Sequence, residues 1–379
     1  MQHAYHEDFD YYEDRAAGLL ASARDGTPAA VAALAGAALT EEGARLAVAR
    51  AHGLGSWEDL RAHVAGLRSS GAPFAAAFRA LEAHDPDTLR AVLDRAPEIV
   101  HFEGTNGNDL LCMATATCDE RTVELLLERV ADPTHANAHG WTPLHQVGYA
   151  NLPHLARILL AAGARPDAFG RGNGGTPLVA ALFWGHREVT DVLLTAGVHP
   201  GNLRAAAGAG DLELVRALLG TPEAGAHRGF YRPHSGFPQW APSDDPQEVL
   251  DEALAWAARS DRVAVLDVLA DAGARLEADV YRGTPLIWAA SCGRAAAIER
   301  LLALGADPNG RGSYGGESHG RGVTPLHLAG ASGNADAVRV LLDAGADPSA
   351  VDGHGYGTPA GWAAHGGHAE VAELIRDRS

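Results

Sequence analysis

The stretch TPLHLAGASGNADAVRVLLDAGADP, residues 324–348, contains the signals that determine the fold. Its opening Thr can cap a helix by accepting hydrogen bonds from free backbone N–H groups. The following Pro suits the first helical position, because it lacks an N–H that would go unused there. Gly333, nine residues after the Thr, allows the left-handed conformation that ends a helix, and ADAVRVLL then places apolar residues at helical spacing. The stretch therefore predicts two short helices joined by a tight turn, with a second turn at Gly-Ala-Asp-Pro.

The same pattern recurs along the chain. Thr-Pro-Leu begins at Thr142, Thr176, Thr284 and Thr324, and a Thr-Pro-Ala variant begins at Thr358. Two of the intervals between consecutive strings are 34 residues long. A fixed period of this length is typical of proteins built from repeated supersecondary units.

These units resemble ankyrin repeats, and the resemblance implies an all-α solenoid of helical hairpins joined by extended fingers. Weaker hairpins without the Thr-Pro start begin at Pro73, Asn108, Asn202 and Leu250. With them, residues 73–379 hold about nine units at a period of ~33 residues. Ala-rich residues 1–72 are expected to form an N-terminal helical extension that caps the stack. Part of it is similar to a short helical element often found ahead of ankyrin repeats in bacterial proteins.

Composition excludes several classes of function. Thirty basic residues against 48 acidic ones give a net charge of −18, and every basic residue is Arg. Without Lys, a Schiff-base lysine, a pyridoxal-phosphate lysine and a Walker-type phosphate loop are excluded. The acidic balance argues against a nucleic-acid partner. With no run of ~18 apolar residues, no secretory signal, three Cys and no metal-ligand motif, we expect a cytoplasmic protein with no membrane partner, no metal and no cofactor.

Two segments depart from the repeat. Residues 221–249 replace a normal finger with a long loop, and a loop of this length without its own structure is usually functional or disordered. Its side chains of interest are Phe230, Tyr231, Arg232, His234 and Trp240. The finger at 309–323 is six residues longer than its siblings and carries Glu317 and His319. The sequence leaves open whether the long loop closes over the repeats or only pads their flank.

Registering the units on Thr-Pro places large side chains on one face of the first helices. The family resemblance implies that this face lines a concave groove. An apolar concave surface with a few polar groups is the default binding site, although Trp at this position can also pack on neighbouring helices. The candidate groove residues are Met113, Gln146, Tyr149, Phe183, Trp184, Trp256, Arg259, Trp288, Trp362 and His365.

Three functions fit this pattern. The first is a binding protein that holds an apolar or aromatic small molecule, or a protein segment, in the groove under the 221–249 loop. The second is a metal- and cofactor-free lyase or cyclase of bacterial secondary metabolism, which would act by acid–base chemistry on a natural product. The third is a scaffold between two proteins. For the enzyme, the candidate catalytic residues are Tyr231, His234, Glu317, His319, His354 and His365.

Overall fold

The computed structural model describes residues 6, 8–70, 73–104, 107–137, 140–170, 175–228, 243–280, 283–312, 322–353 and 357–378. Within these ranges the regular structure is helical, and the β pairing found there is an isolated antiparallel bridge between Gly312 and Val323. The prediction of an all-α fold is confirmed. The chain divides into two compact units, one of residues 1–181 with 188–198 and the other of 182–187 with 199–379.

The first unit begins with the predicted helical extension. Asp8 and Thr40 cap α1 and α3 by accepting backbone N–H groups through their side chains. The buried side chains of these helices form an apolar cluster of their own that includes Tyr12 and Leu60. The four helices are α1 (Phe9–Arg24), α2 (Pro28–Ala33), α3 (Glu41–Ala51) and α4 (Trp57–Ser70).

Four helical hairpins follow, and the division between the units passes through the last of them. A short 3-10 helix (Pro97–His101) follows the first hairpin, and α7 packs on both α5 and α9. The hairpins are α5 (Pro73–Glu82) with α6 (Pro86–Arg95), α7 (Leu110–Thr117) with α8 (Glu120–Glu128), α9 (Pro143–Tyr149) with α10 (Pro153–Ala161), and α11 (Pro177–Trp184) with α12 (Arg187–Thr195).

The second unit holds five further hairpins, and its first helices pack in chain order from α13 through α15, α17 and α19 to α21. One apolar core runs through them from Leu203 to Ile375. The hairpins are α13 (Leu203–Ala209) with α14 (Leu212–Leu218), α15 (Pro246–Arg259) with α16 (Val263–Asp271), α17 (Pro285–Ser291) with α18 (Ala295–Ala303), α19 (Pro325–Ala331) with α20 (Ala335–Asp343), and α21 (Pro359–His365) with α22 (Ala369–Arg376).

The described residues thus contain nine helical hairpins, the number expected from the period. The boundary of α15 differs from the prediction, because the helix begins at Pro246 and not near Leu250. Asp245 explains the difference, since its side chain accepts the Gln247 N–H at 3.0 Å and Pro246 occupies the first turn. A second cap signal upstream therefore lengthens this first helix to 14 residues.

The Thr and the His of the Thr-Pro-Leu-His string together cap the start of the first helix. Nδ1 of His327 accepts the backbone N–H of Thr324 at 3.2 Å and lies 2.8 Å from the Thr324 hydroxyl. Its Nε2 donates across the repeat boundary to Gly357 O at 3.0 Å. His145 makes the same set of contacts in the first unit, with Nε2 2.8 Å from Gly175 O. The imidazole therefore ties one repeat to the next.

Glycine in the first helix lets neighbouring repeats approach closely. A Cβ added to Gly148 would lie 2.8 Å from Pro177 O, and one added to Gly330 would lie 2.8 Å from Pro359 O. Such distances are shorter than packed atoms tolerate. The two glycines occupy the same place in their repeats, six residues after the capping Thr.

The cap at His327 predicts a pH dependence of stability. Burial lowers the pKa of His327, although the hydrogen bond to Gly357 and the nearby Asp352 oppose the shift. The folded chain therefore binds this proton less readily than the unfolded chain, in which the His pKa is about 6.5. Stability should be full above about pH 6.5. It should fall as the pH drops below that value, by at most ~1.4 kcal/mol per pH unit.

Urea unfolding near pH 7.5 and near pH 5.5, on either side of the ordinary His pKa, measures this effect. The loss on acidification should be smaller in His327→Gln than in the wild type, because the titrating ring is gone. His365→Gln is the matched control, since His365 is exposed at the end of α21. Equal losses in His327→Gln and the wild type would contradict the prediction.

Candidate functional site

Four of the candidate groove residues form a buried cluster in the second unit. Trp256 is 0% exposed, Trp288 is 3% exposed and Phe183 is 7% exposed, and Arg259 lies among them with no exposed surface. The Arg259 guanidinium carbon is 4.7 Å from the Phe183 ring centroid and 4.0 Å from that of Trp288. A guanidinium that close to aromatic rings is held by their π-electrons.

Two hydrogen bonds and a further guanidinium–ring contact hold the side chains of this buried cluster in place. Nη1 of Arg259 donates to the Phe183 carbonyl, and Nε1 of Trp288 donates to Val280 O at 3.1 Å. The Arg204 guanidinium carbon lies 4.9 Å from the Trp256 ring centroid. These side chains serve the packing of their own unit, which is the alternative reading of Trp at this position. A ligand-binding role for them stays a prediction.

Trp184 and Met113 lie on the same helix face of other repeats. Trp184 is half-buried, meets Phe183 edge to face at 4.9 Å, and its carbonyl lies 3.8 Å from the Cys292 thiol. Burial raises the pKa of Cys292, so this thiol is not activated. Met113, in the first unit, is buried.

The remaining groove positions are accessible. In the first unit, Tyr149 is 47% exposed at the end of α9, and Gln146 is half-buried and accepts from Trp141 Nε1 at 3.2 Å. In the second unit, His365 is exposed, and half-buried Trp362 donates to Asp352 Oδ2 at 3.1 Å. The candidate groove residues are thus buried in some repeats and accessible in others.

The predicted loop and finger side chains fall outside the described residues, so their roles stay predictions. The described ends of the long loop are both held, because Nη1 of Arg228 donates to Ser243 O at 2.7 Å. The predicted residues that lie outside are Phe230, Tyr231, Arg232, His234, Trp240, Glu317, His319 and His354.

A buried ion network that the sequence analysis missed lies beside the ring cluster. The Glu252 side chain is fully buried and accepts from Arg204 Nη1 at 2.6 Å and from Arg228 Nε. Arg228 also reaches Glu248 Oε1 at 2.6 Å. Glu252 stands where Thr stands in the Thr-Pro-Leu units, four residues before the aligned Trp. The charged residue at that capping position was the feature of the sequence that could have indicated the ion network.

Family models match most of this helical region. A model described as "Ankyrin repeats (3 copies)" matches residues 110–202 and 203–311, and one described as "Ankyrin repeat" matches residues 321–353. The chain belongs to the ankyrin-repeat family. Ankyrin repeats mediate protein binding, so the nine hairpins form an interaction scaffold of this class.

One curated relative is the human transient receptor potential cation channel subfamily A member 1. It is 24% identical over 140 residues, which is 37% of this chain and 11% of the channel. The chain therefore aligns with about a tenth of that protein's length. Among the described residues, the structure contains no helix long and apolar enough to cross a membrane.

The second ankyrin hairpin departs from the family's Thr-x-x-His cap. Asp109 and Cys112 stand in place of the Thr and the His, and Oδ1 of Asp109 accepts the Cys112 N–H at 2.8 Å. Burial raises the pKa of Asp109. Burial, with the Asp109 charge beside it, raises the pKa of the Cys112 thiol. One donor atom from each of Asp109, Cys112 and His135 lies within 4.8 Å of the others. The sequence analysis, which expected no metal, did not anticipate this group.

Two open clefts on the ankyrin surface are polar and do not resemble the expected aromatic groove. One, of about 620 Å³, lies in the first unit between the turns of the first two hairpins, and the other, of about 450 Å³, lies in the second unit. Both are rich in carboxylates, in keeping with the net charge of −18. The first is lined by His84, Pro86, Cys118, Asp119, Glu120, Arg121 and Glu124, and the second by Glu248, Asp251, Arg275, Glu277, Ala278, Asp279 and Val280.

Proposed function

We propose that this ankyrin-repeat chain is a protein-interaction module that binds a protein segment along its first helices. The exposed ring of Tyr149 is the observation that carries the proposal. Most large apolar side chains on these helices are buried, whereas Tyr149 is 47% exposed. Tyr is enriched among the residues that dominate binding energy at interfaces, because it offers contact area and a polar tip.

Charge favours a basic partner. The net charge of −18 and the carboxylates of both clefts produce a negative field, and complementary charge speeds association and rejects like-charged competitors. We therefore expect the bound segment to combine Arg or Lys with an apolar side chain that packs on Tyr149. Such binding should weaken as the salt concentration rises.

The candidate groove and the 221–249 loop suit a second kind of ligand. Nη1 of Arg228 donates to Ser243 O, which holds the described ends of the 221–249 loop together, and an apolar small molecule bound under this loop is the alternative ligand. Native mass spectrometry of the purified chain, with residues 230–241 replaced by a Gly-Ser linker as control, tests that alternative. Nothing in the family matches supports the acid–base enzyme, and its residues, like the cytoplasmic location, remain predictions.

The Tyr149→Ala variant should bind the protein partner at least about 5-fold more weakly, because truncating an interface anchor typically costs above ~1 kcal/mol. The partner is first identified by cross-linking through a photoreactive residue at position 149, and then purified. Titration calorimetry with the purified partner gives the Kd of each variant. Stability should change little, because the ring is half in solvent.

Leu39→Ala is the matched control, since Leu39 is 49% exposed in the N-terminal extension. Its Kd should equal that of the wild type. Equal affinity of wild type and Tyr149→Ala for the cross-linked partner would overturn the assignment of Tyr149. Cross-linking to no protein at all would overturn the proposed function itself.

A further inference from the structure

The group formed by Asp109, Cys112 and His135 joins two parts of the first unit. Asp109 is the N-cap residue of α7, Cys112 lies in the first turn of that helix, and His135 lies in the finger that follows α8. Their donor atoms lie within 4.8 Å of one another, and the thiol sulfur is 4.0 Å from the His135 carbonyl. Asp109 and Cys112 are buried, and the His135 side chain is only 10% exposed.

Each side chain of this group has a donor to offer. Oδ1 of Asp109 caps α7, which leaves the second carboxylate oxygen for another partner. Nε2 of His135 lies 2.5 Å from Gly107 O and 3.6 Å from Glu103 Oε1. Carbonyl and carboxylate neighbours of this kind orient the imidazole of metal-binding histidines. The surrounding carboxylates, which include Glu103, give the pocket a negative charge that favours a cation.

The chemistry of the donors selects the ion. Thiolate, imidazole and carboxylate together are the ligand types of Zn²⁺, whereas Mg²⁺ and Ca²⁺ prefer oxygen ligands alone. Three protein ligands leave the fourth tetrahedral position to water. A zinc ion carries two positive charges, which balance one thiolate and one carboxylate.

We propose that Asp109, Cys112 and His135 form a zinc-binding site that fastens the finger after α8 to the start of α7. In the repeats that keep Thr-x-x-His, the imidazole makes the link to the next finger directly. In the second hairpin, where Cys112 replaces that imidazole, the bound ion adds a link from the α7 side chains to the finger, beside the contact between His135 and Gly107 O. Binding releases the thiol proton to solvent, and neither sulfur nor metal changes oxidation state.

Titration of the reduced, metal-free, full-length chain with Co²⁺ and then Zn²⁺ tests the site. One equivalent of Co²⁺ should produce a thiolate-to-cobalt charge-transfer band in the near ultraviolet, and one equivalent of Zn²⁺ should abolish it and raise the melting temperature. Cys112→Ser should weaken Zn²⁺ binding by at least about 100-fold, because loss of an outer contact alone costs 10- to 100-fold. Asp109→Asn should also weaken it, although Asn still caps the helix.

Two matched controls separate the site from other thiols and caps. Cys118→Ser removes the exposed thiol of the same hairpin, and Asp119→Asn alters the cap of α8, where Asp119 accepts the Arg121 N–H at 3.0 Å. Both should keep the band and its stoichiometry. The proposal is overturned if the reduced wild type gives no band at one equivalent, or if the band persists in Cys112→Ser. If Cys112→Ser does not fold, loss or retention of the band in His135→Gln and Asp109→Asn decides the question.

Discussion

Glu252→Gln is expected to remove about 3–5 kcal/mol from the free energy of unfolding of the second unit, the range for breaking a buried ion pair. The Glu252 carboxylate is fully buried and is shared by the guanidinium groups of Arg204 and Arg228. Gln has nearly the same shape but carries no charge. Arg204 would lose the Glu252 charge at a fully buried position, whereas Arg228 would keep its pair with Glu248. A buried charge that loses its counter-charge is strongly destabilising.

Urea unfolding followed by tryptophan fluorescence measures this loss, because Trp256 and Trp288 lie in the same unit. The matched control is Asp343→Asn, which breaks the 3.0 Å pair with Arg378 where both side chains are more than half exposed. An exposed pair contributes about 0–1 kcal/mol, so the control should unfold nearly as the wild type does. If the two variants lost equal stability, the network would be no stronger than a surface pair.

The fold could be predicted because each repeat carries its own signals. Thr324, Pro325 and Gly333 specify where the helices of one hairpin begin and end, and the structure uses each of them as local chemistry dictates. Gly333 takes the left-handed conformation, with φ +69°. Because many repeats share these signals, a helix boundary that is predicted correctly in one repeat is predicted correctly in many others. The start of α15 was misplaced because Asp245 and Pro246 add a second cap upstream of the repeat pattern.

The site was harder to predict, because one position in the repeat has different surroundings in different units. Trp288 and Trp362 both stand four residues after the capping Thr, yet Trp288 is buried against Arg259 while Trp362 is only half-buried. Exposure depends on what the neighbouring repeat contributes. The Arg259 guanidinium of the neighbouring repeat covers the Trp288 ring. The sequence of a single repeat does not indicate this contact.

The metal-ligand group was missed for a related reason. Cys112 and His135 are 23 residues apart, a spacing that matches no short zinc motif. They meet because the finger after α8 returns beside the start of α7. The departure of Asp109 and Cys112 from Thr-x-x-His was visible in the sequence, but its partner could be found only in three dimensions.

Trp256→Ala and Trp362→Ala should separate packing from binding. Trp256 is 0% exposed, so its truncation should leave a cavity and cost about 3–5 kcal/mol of stability. Trp362 is half-buried against Ile287, Val323 and Leu328, so its truncation should cost much less. Since Trp362 is partly exposed, Trp362→Ala should instead weaken binding of a protein partner captured by cross-linking at position 362.

Urea unfolding and calorimetric titration with the purified partner, applied to both variants, provide the comparison. The reverse result, in which Trp256→Ala keeps its stability and loses its partner, would show that the buried rings open to a ligand. The contacts of Arg259 favour the expected result, in which Trp256→Ala loses stability and Trp362→Ala loses binding. Its guanidinium is held against Phe183 and Trp288 and donates to the Phe183 carbonyl. Opening the cluster would therefore remove the contacts of a buried cation. The free energy lost in this way exceeds what a single apolar contact with a ligand would return.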